Sequence, residues 1–114
     1  MTSLFDNVNF ELMGEDYSIT PTMKLIKKLW DKASLLKVRH SLIVGDPHVP
    51  DICLIIAEAL TQSGYKITAD EIFIYFNKSI ENQEEIYTAL GKIYFGIFPK
   101  NDEKEAPEEK KSTK

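Results

Sequence analysis

Periodicity marks this chain as mainly α, with an N-terminal β-hairpin, about five short helices, and a disordered charged C-terminal tail. Three observations carry that expectation. Apolar residues alternate on either side of Gly14. From Thr20 to Phe98 they recur at helical spacing behind capping residues. After Pro99 the chain turns to Lys, Glu, Pro, Ser and Thr with no apolar anchor. The 114 residues divide into one domain over 1–99, large enough for a hydrophobic core, and a tail over 100–114.

The hairpin is expected over residues 7–20. Val8, Phe10 and Leu12 share one face of the first strand, and Tyr17 and Ile19 form the apolar pair of the second. Gly14-Glu15 has the Gly-first composition of a two-residue turn. A lone hairpin is marginal in water, so its apolar face should rest on helices. Thr20-Pro21 reads as cap and first position of a first helix, whose stripe is Leu25, Ile26, Leu29, Trp30 and Ala33. On this stripe Trp30 is expected to be buried beside Phe10 and Tyr17. Ser34 caps a short second helix that Gly45 ends. Pro50 opens a third, with Ile52, Ile55, Ile56, Ala59 and Leu60 inward and Ser63-Gly64 as its stop. Thr68 and Glu71 form a capping box ahead of a fourth helix over Ile72 to Phe76. Ser79 to Glu85 is the polar start of a fifth, lined by Ile86, Ala89, Leu90, Ile93, Tyr94 and Ile97.

Composition narrows function by exclusion. The net charge is −4 and the pI about 5.2, an acidic balance that lacks the cationic surplus phosphate contacts require, so nucleic acid is not an expected partner. The longest apolar run, Ile52 to Ala57, falls far short of the ~20 residues that span a bilayer, so no membrane is expected either. Met1 to Asn7 lacks the pattern of a signal peptide. Cys53 is the only cysteine and stands among Ile52, Leu54 and Ile55. It reads as a small buried hydrophobe in a reducing cytoplasm.

Chemistry-bearing patterns are sparse. Asp46, His48 and Asp51 lie close enough in sequence to share a cation, but both acids occupy loop and helix-start positions that favour acidic residues anyway. His40 and Ser41 are adjacent on a helix and so do not face each other. Asp70-Glu71 and Glu84-Glu85 sit where first turns of helices are expected. There is no G-x-S-x-G elbow and no phosphate-binding glycine loop. Neither enzyme activity nor a cofactor or metal is expected. Lys24, Lys27 and Lys28 read as a solvated helix face.

The aromatic residues of the last two helices are less ordinary. Ile72 to Phe76 leaves the fourth helix no polar face, and Tyr87, Tyr94, Phe95 and Phe98 ring the fifth. Either the hairpin and the first and third helices wrap these residues, or some are exposed for a partner or for self-association. The candidate partner-binding residues are Phe73, Tyr75, Phe76, Tyr87, Tyr94, Phe95 and Phe98. Helical spacing groups Phe73 and Phe76 with Ile80, and groups Tyr87, Tyr94 and Phe98 on a side favoured for solvent or partner.

The run FELMGEDYSITPTMKLIKKL, a strand, glycine turn, tyrosine strand and Thr-Pro helix start, resembles the small tail proteins of long-tailed phages and gene transfer agents. GDPHVPDICLIIAEALTQSGYKITADEI extends the similarity through a Gly-Asp step, an apolar helix, a glycine turn and an acidic helix start. The pattern covers roughly residues 8–98 and consists of turns and apolar positions, with no catalytic residues to carry over. The resemblance implies a tail assembly chaperone, cytoplasmic in the host cell, that keeps the long helical tape-measure protein soluble or binds other tail proteins. A structural tail-tube or tail-completion component is the alternative, although tube rings are built on sheets and this chain is helical. A DNA-binding regulator using residues 50–78 is a further alternative. Asp70, Glu71 and Tyr75 then stand where basic or amide side chains belong.

Overall fold

A computed structural model describes residues 3–98; the tail expected over 100–114 lies outside them. Two antiparallel strands, β1 (Val8–Leu12) and β2 (Glu15–Ile19), precede five helices. These are α1 (Met23–Lys32), α2 (Leu35–Ile43), α3 (Val49–Gln62), α4 (Ala69–Phe76) and α5 (Ile80–Ile97). The mainly α class with an N-terminal hairpin is therefore what the chain adopts.

The register pairs Val8 with Ile19, Phe10 with Tyr17 and Leu12 with Glu15. The turn is accordingly Met13-Gly14, one residue earlier than the expected Gly14-Glu15. Both turn residues have positive φ, 53° at Met13 and 82° at Gly14, the combination of a type I′ turn that follows the strands' right-handed twist. A side chain in the left-handed region is disfavoured by about 1–2 kcal/mol. Here the Met13 N–H donates to Glu85 Oε2 at 2.6 Å, a tertiary contact that local pattern does not reveal.

Alternation along β1 turns Val8, Phe10 and Leu12 inward, and the strand packs against α5. The approach is close at Gly96, where an added Cβ would lie 2.0 Å from Val8 Cγ2. Glycine at this position lets strand and helix touch.

Four of the five described helices start where a side-chain oxygen satisfies one of the first orphan N–H groups, and α3, which has no such cap, carries Pro50 in its first turn instead. Ser34, Thr68 and Ser79 cap α2, α4 and α5, and the Thr68–Glu71 capping box is complete. The first helix differs from expectation: its cap is Thr22, whose Oγ1 accepts from the Leu25 N–H at 3.1 Å, and Pro21 lies before the helix. Gly45 and Gly64 end α2 and α3 at positive φ. In each case a 6→1 backbone bond closes the turn, Asp46 N–H to Ser41 C=O at 2.8 Å and Tyr65 N–H to Leu60 C=O at 3.0 Å.

α3 is the centre of the core. Half of it is buried, including Ile52, Ile55, Ile56 and Leu60, and it packs against α1, α4, α5 and β2. Lys32 Nζ lies 3.6 Å from Glu58 Oε1, joining α1 to it. α1 buries Leu25 and Leu29, whereas Trp30 is 40 % exposed, against the expectation of burial. The place beside the hairpin is taken by Tyr65, whose ring meets Tyr17 edge-on at 4.7 Å. Its hydroxyl accepts from the Ser18 N–H at 3.3 Å. With Leu25 and Leu29 inward, Trp30 falls at the margin of the buried stripe.

Candidate functional site

The seven candidate aromatics separate into three groups. Phe76 is core: it is 6 % exposed and its ring meets that of half-buried Tyr87 edge-on at 5.6 Å. Tyr75 and Tyr94 are half-buried and use their hydroxyls internally. Tyr75 donates to Glu85 Oε1 at 2.6 Å, and Tyr94 donates to the Leu35 carbonyl at 2.7 Å. Only Phe73, Phe95 and Phe98 are exposed.

Two expected groupings hold only in part, for physical reasons. Phe73 and Phe76 are three residues apart, about 60° around a helix, and that angle separates a 43 % exposed ring from a buried one. Ile80 does not continue their stripe, because α4 ends at Phe76 and Ser79 caps a new helix. Tyr87 and Tyr94 are not a solvent-facing pair. Tyr87 closes on Phe76, and Tyr94 fastens α2 to α5 and stacks on Phe98 at 6.0 Å.

Phe73 sits at the edge of an open cleft of about 280 Å³ between the N-terminal halves of α3 and α4, lined by Pro50, Cys53, Leu54, Ala69, Asp70 and Phe73. Its walls are apolar except for Asp70. Leu54 shows why the sequence reading missed this place. In the run Ile52–Ala57 every residue is apolar, and only Leu54 escapes burial; the phase of the helix identifies it, and the run's composition does not. Cys53 is buried at the cleft floor, and burial pushes its thiol up to about 11, so it is protonated at neutral pH and a poor nucleophile.

The residues with catalytic potential are engaged structurally. Ser41 is buried, donates to the Val38 carbonyl at 2.6 Å and accepts from the His48 N–H at 3.3 Å. Its hydroxyl proton therefore points to a carbonyl, away from any imidazole. His48 Nδ1 and Asp51 Oδ2 are 4.0 Å apart and both half-exposed. Among the described residues no three His, Cys, Asp or Glu side chains are disposed to hold a metal ion. Nor is any helix among them long and apolar enough to cross a membrane. Glu85, expected in a helix first turn, lies in the second turn of α5, where its carboxylate joins the hairpin turn, α4 and α5.

Compared with protein-family models, curated proteins and solved structures, the chain matches none.

Proposed function

We propose that this chain is a non-enzymatic binding protein of the phage-type tail assembly chaperone kind, acting in the cytoplasm on the tail tape-measure protein. The observation that carries the reading is the α3–α4 cleft with Leu54 and Phe73 exposed at its edges. A slot between two helices, apolar except for Asp70, accepts side chains spaced i, i+3/i+4, i+7 on a third helix. A tape-measure segment is such a helix. The resemblance over residues 8–98 names the partner, and the hairpin followed by helices is the order that resemblance implies. A two-stranded sheet favours this reading over a tail-tube subunit. The exposed residues of α4, among them Asp70, Glu71, Phe73 and Ile74, include no cation, which disfavours α4 as a DNA-reading helix.

The test is co-purification with helical segments of a tail tape-measure protein. The parent is expected to retain a helical segment in solution. Leu54→Asp and Phe73→Asp are expected to release it, while Thr88→Asp, at an exposed site on α5, retains it. If no helical tail protein binds the parent, the chaperone reading fails and the structural-component reading replaces it.

A further inference from the structure

Charge is unevenly divided along the chain. From Met23 to Val44, Lys24, Lys27, Lys28, Lys32, Lys37 and Arg39 stand against Asp31. From Ala69 to Glu85, Asp70, Glu71, Glu81, Glu84 and Glu85 stand against Lys78. A protein of net charge −4 thus contains a strongly basic pair of helices and an acidic segment opposite in sign.

Neither segment is a plain solvated face. On α1, Met23, Lys27 and Trp30 occur at i, i+4 and i+7, and therefore lie on one stripe. All three are exposed, with Lys24 and Lys28 exposed next to them. At the elbow between α4 and α5, Ile74 and Ile80 are 59 % and 70 % exposed, and Glu81 and Glu84 are exposed on the first turns of α5. Each patch has large apolar side chains at its centre and a rim in which one sign of charge predominates, against the single counter-charges Asp31 on α1 and Lys78 at the elbow, the composition of an interface core with a steering rim.

We infer that the α1 face of one copy docks on the α4–α5 elbow of a second copy, so that the chain self-associates head to tail. Complementary charge and matching apolar centres stand on different elements of the same molecule. A nucleic acid or acidic peptide would answer the lysines of α1 and leave Ile74 and Ile80 bare; a second copy covers both. Two different faces meet, so the contact is heterologous and each added copy leaves one face of each kind open. The products are rings or filaments. Ile74 adjoins Phe73 and Asp70 at the Leu54–Phe73 cleft, but Lys27, Lys28, Ile80, Glu81 and Glu84, the positions varied below, are not among the residues that line it, so the inference is tested apart from the proposed function.

The experiment is sedimentation and light scattering of the intact protein over a range of concentration and salt. The expected mass exceeds the 13.1 kDa monomer at low salt and rises with concentration. It falls toward the monomer in 1 M salt, where screening shortens the reach of charge to about 3 Å. Lys27→Glu/Lys28→Glu and Glu81→Lys/Glu84→Lys are each expected to be folded by circular dichroism and monomeric. Their equimolar mixture is expected to associate, because the acidified α1 of one meets the basic elbow of the other. Ile80→Ser is expected to weaken association through the apolar centre without touching a charge. A parent that stays monomeric at every concentration overturns the inference, including one that captures nucleic acid or an acidic helix instead. Association that both charge-reversed variants retain, or a mixture that stays monomeric, overturns it equally.

Discussion

Glu85 holds Met13 in its left-handed turn: the Met13 N–H donates to Oε2 at 2.6 Å while Oε1 accepts from the Tyr75 hydroxyl at 2.6 Å. One carboxylate therefore fixes the hairpin tip and α4 against α5. Removing it leaves two donors without their acceptor and a positive-φ methionine without its restraint. Hydrogen bonds to charged groups contribute about 1.5–3 kcal/mol each. Glu85→Ala is expected to lower the urea-unfolding free energy by roughly 2–4 kcal/mol, since the two bonds share one acceptor and are not additive. Glu84→Ala, one residue away and exposed, should change it by less than about 0.5 kcal/mol. Equal effects from the two variants would remove the turn restraint from the account.

Gly96 is the second point at which the hairpin depends on α5. A Cβ there would lie 2.0 Å from Val8 Cγ2, too close for the Val8 side chain to keep its place. Overpacking of this kind costs typically about 1–3 kcal/mol. Gly96→Ala should lower the melting temperature, and Val8→Ala in the same chain should recover part of the loss, because it removes the methyl that clashes. Melting curves of the two single variants and the double variant measure the coupling. Strict additivity would show that the strand and helix have room to separate.

The elements were legible in the sequence because their signals are local. Alternation at Val8, Phe10 and Leu12, the Ser34 and Ser79 caps and the Thr68–Glu71 box all act within a few residues. What was illegible depends on residues distant in the chain. The turn shifted to Met13-Gly14 because Glu85, 72 positions away, supports it. Trp30 lost its expected place because Tyr65 occupies the hairpin face, 47 positions beyond the Ser18 it binds. Tyr94 reads from sequence as a residue for solvent or partner because nothing near it reveals the Leu35 carbonyl, 59 positions away, that its hydroxyl reaches. Leu54 was hidden by apolar neighbours on both sides, and only the packing of α3 singles it out.

The tyrosines make the fold sensitive to alkali. Tyr75 is raised from 10.0 to about 12, first by its hydrogen bond to Glu85 and then by burial. Tyr94 is raised to about 12 by burial, with Arg39 opposing. A raised phenol favours the folded state fully below the unfolded value, and that contribution disappears as pH climbs through the folded one. Stability is therefore expected to begin falling near pH 9 through the Cys53 thiol, raised from 9.0 to about 11 by burial, and to fall more steeply between pH 10 and about 12 as the two phenols ionise. Parallel titrations of tyrosinate absorbance and circular dichroism test this. The Tyr75→Phe/Tyr94→Phe variant should show a shallower fall in that window; the same slope as the parent would assign the alkaline loss to other groups.

Tyr94 also decides how firmly α2 is held. α2 buries Leu35, Val38 and Ser41 on one side and leaves Leu36, Ile43 and Val44 exposed. The Tyr94 hydroxyl reaches the Leu35 carbonyl in its first turn at 2.7 Å, which ties the helix's N-terminal end to α5. Tyr94→Phe keeps the ring and its stacking on Phe98 and deletes only the donor. The expected loss of global stability is about 1 kcal/mol, the usual net value of one such bond. The local effect should be larger in proportion, because sub-global openings concentrate where few tertiary contacts hold an element. Hydrogen exchange should therefore accelerate in the amides of α2, from Val38 onward, well before those of α3, whose buried face includes Ile52, Ile55 and Ile56. Acceleration spread evenly over α2, α3 and α5 would mean that the bond stabilises the whole domain and that α2 has no opening of its own.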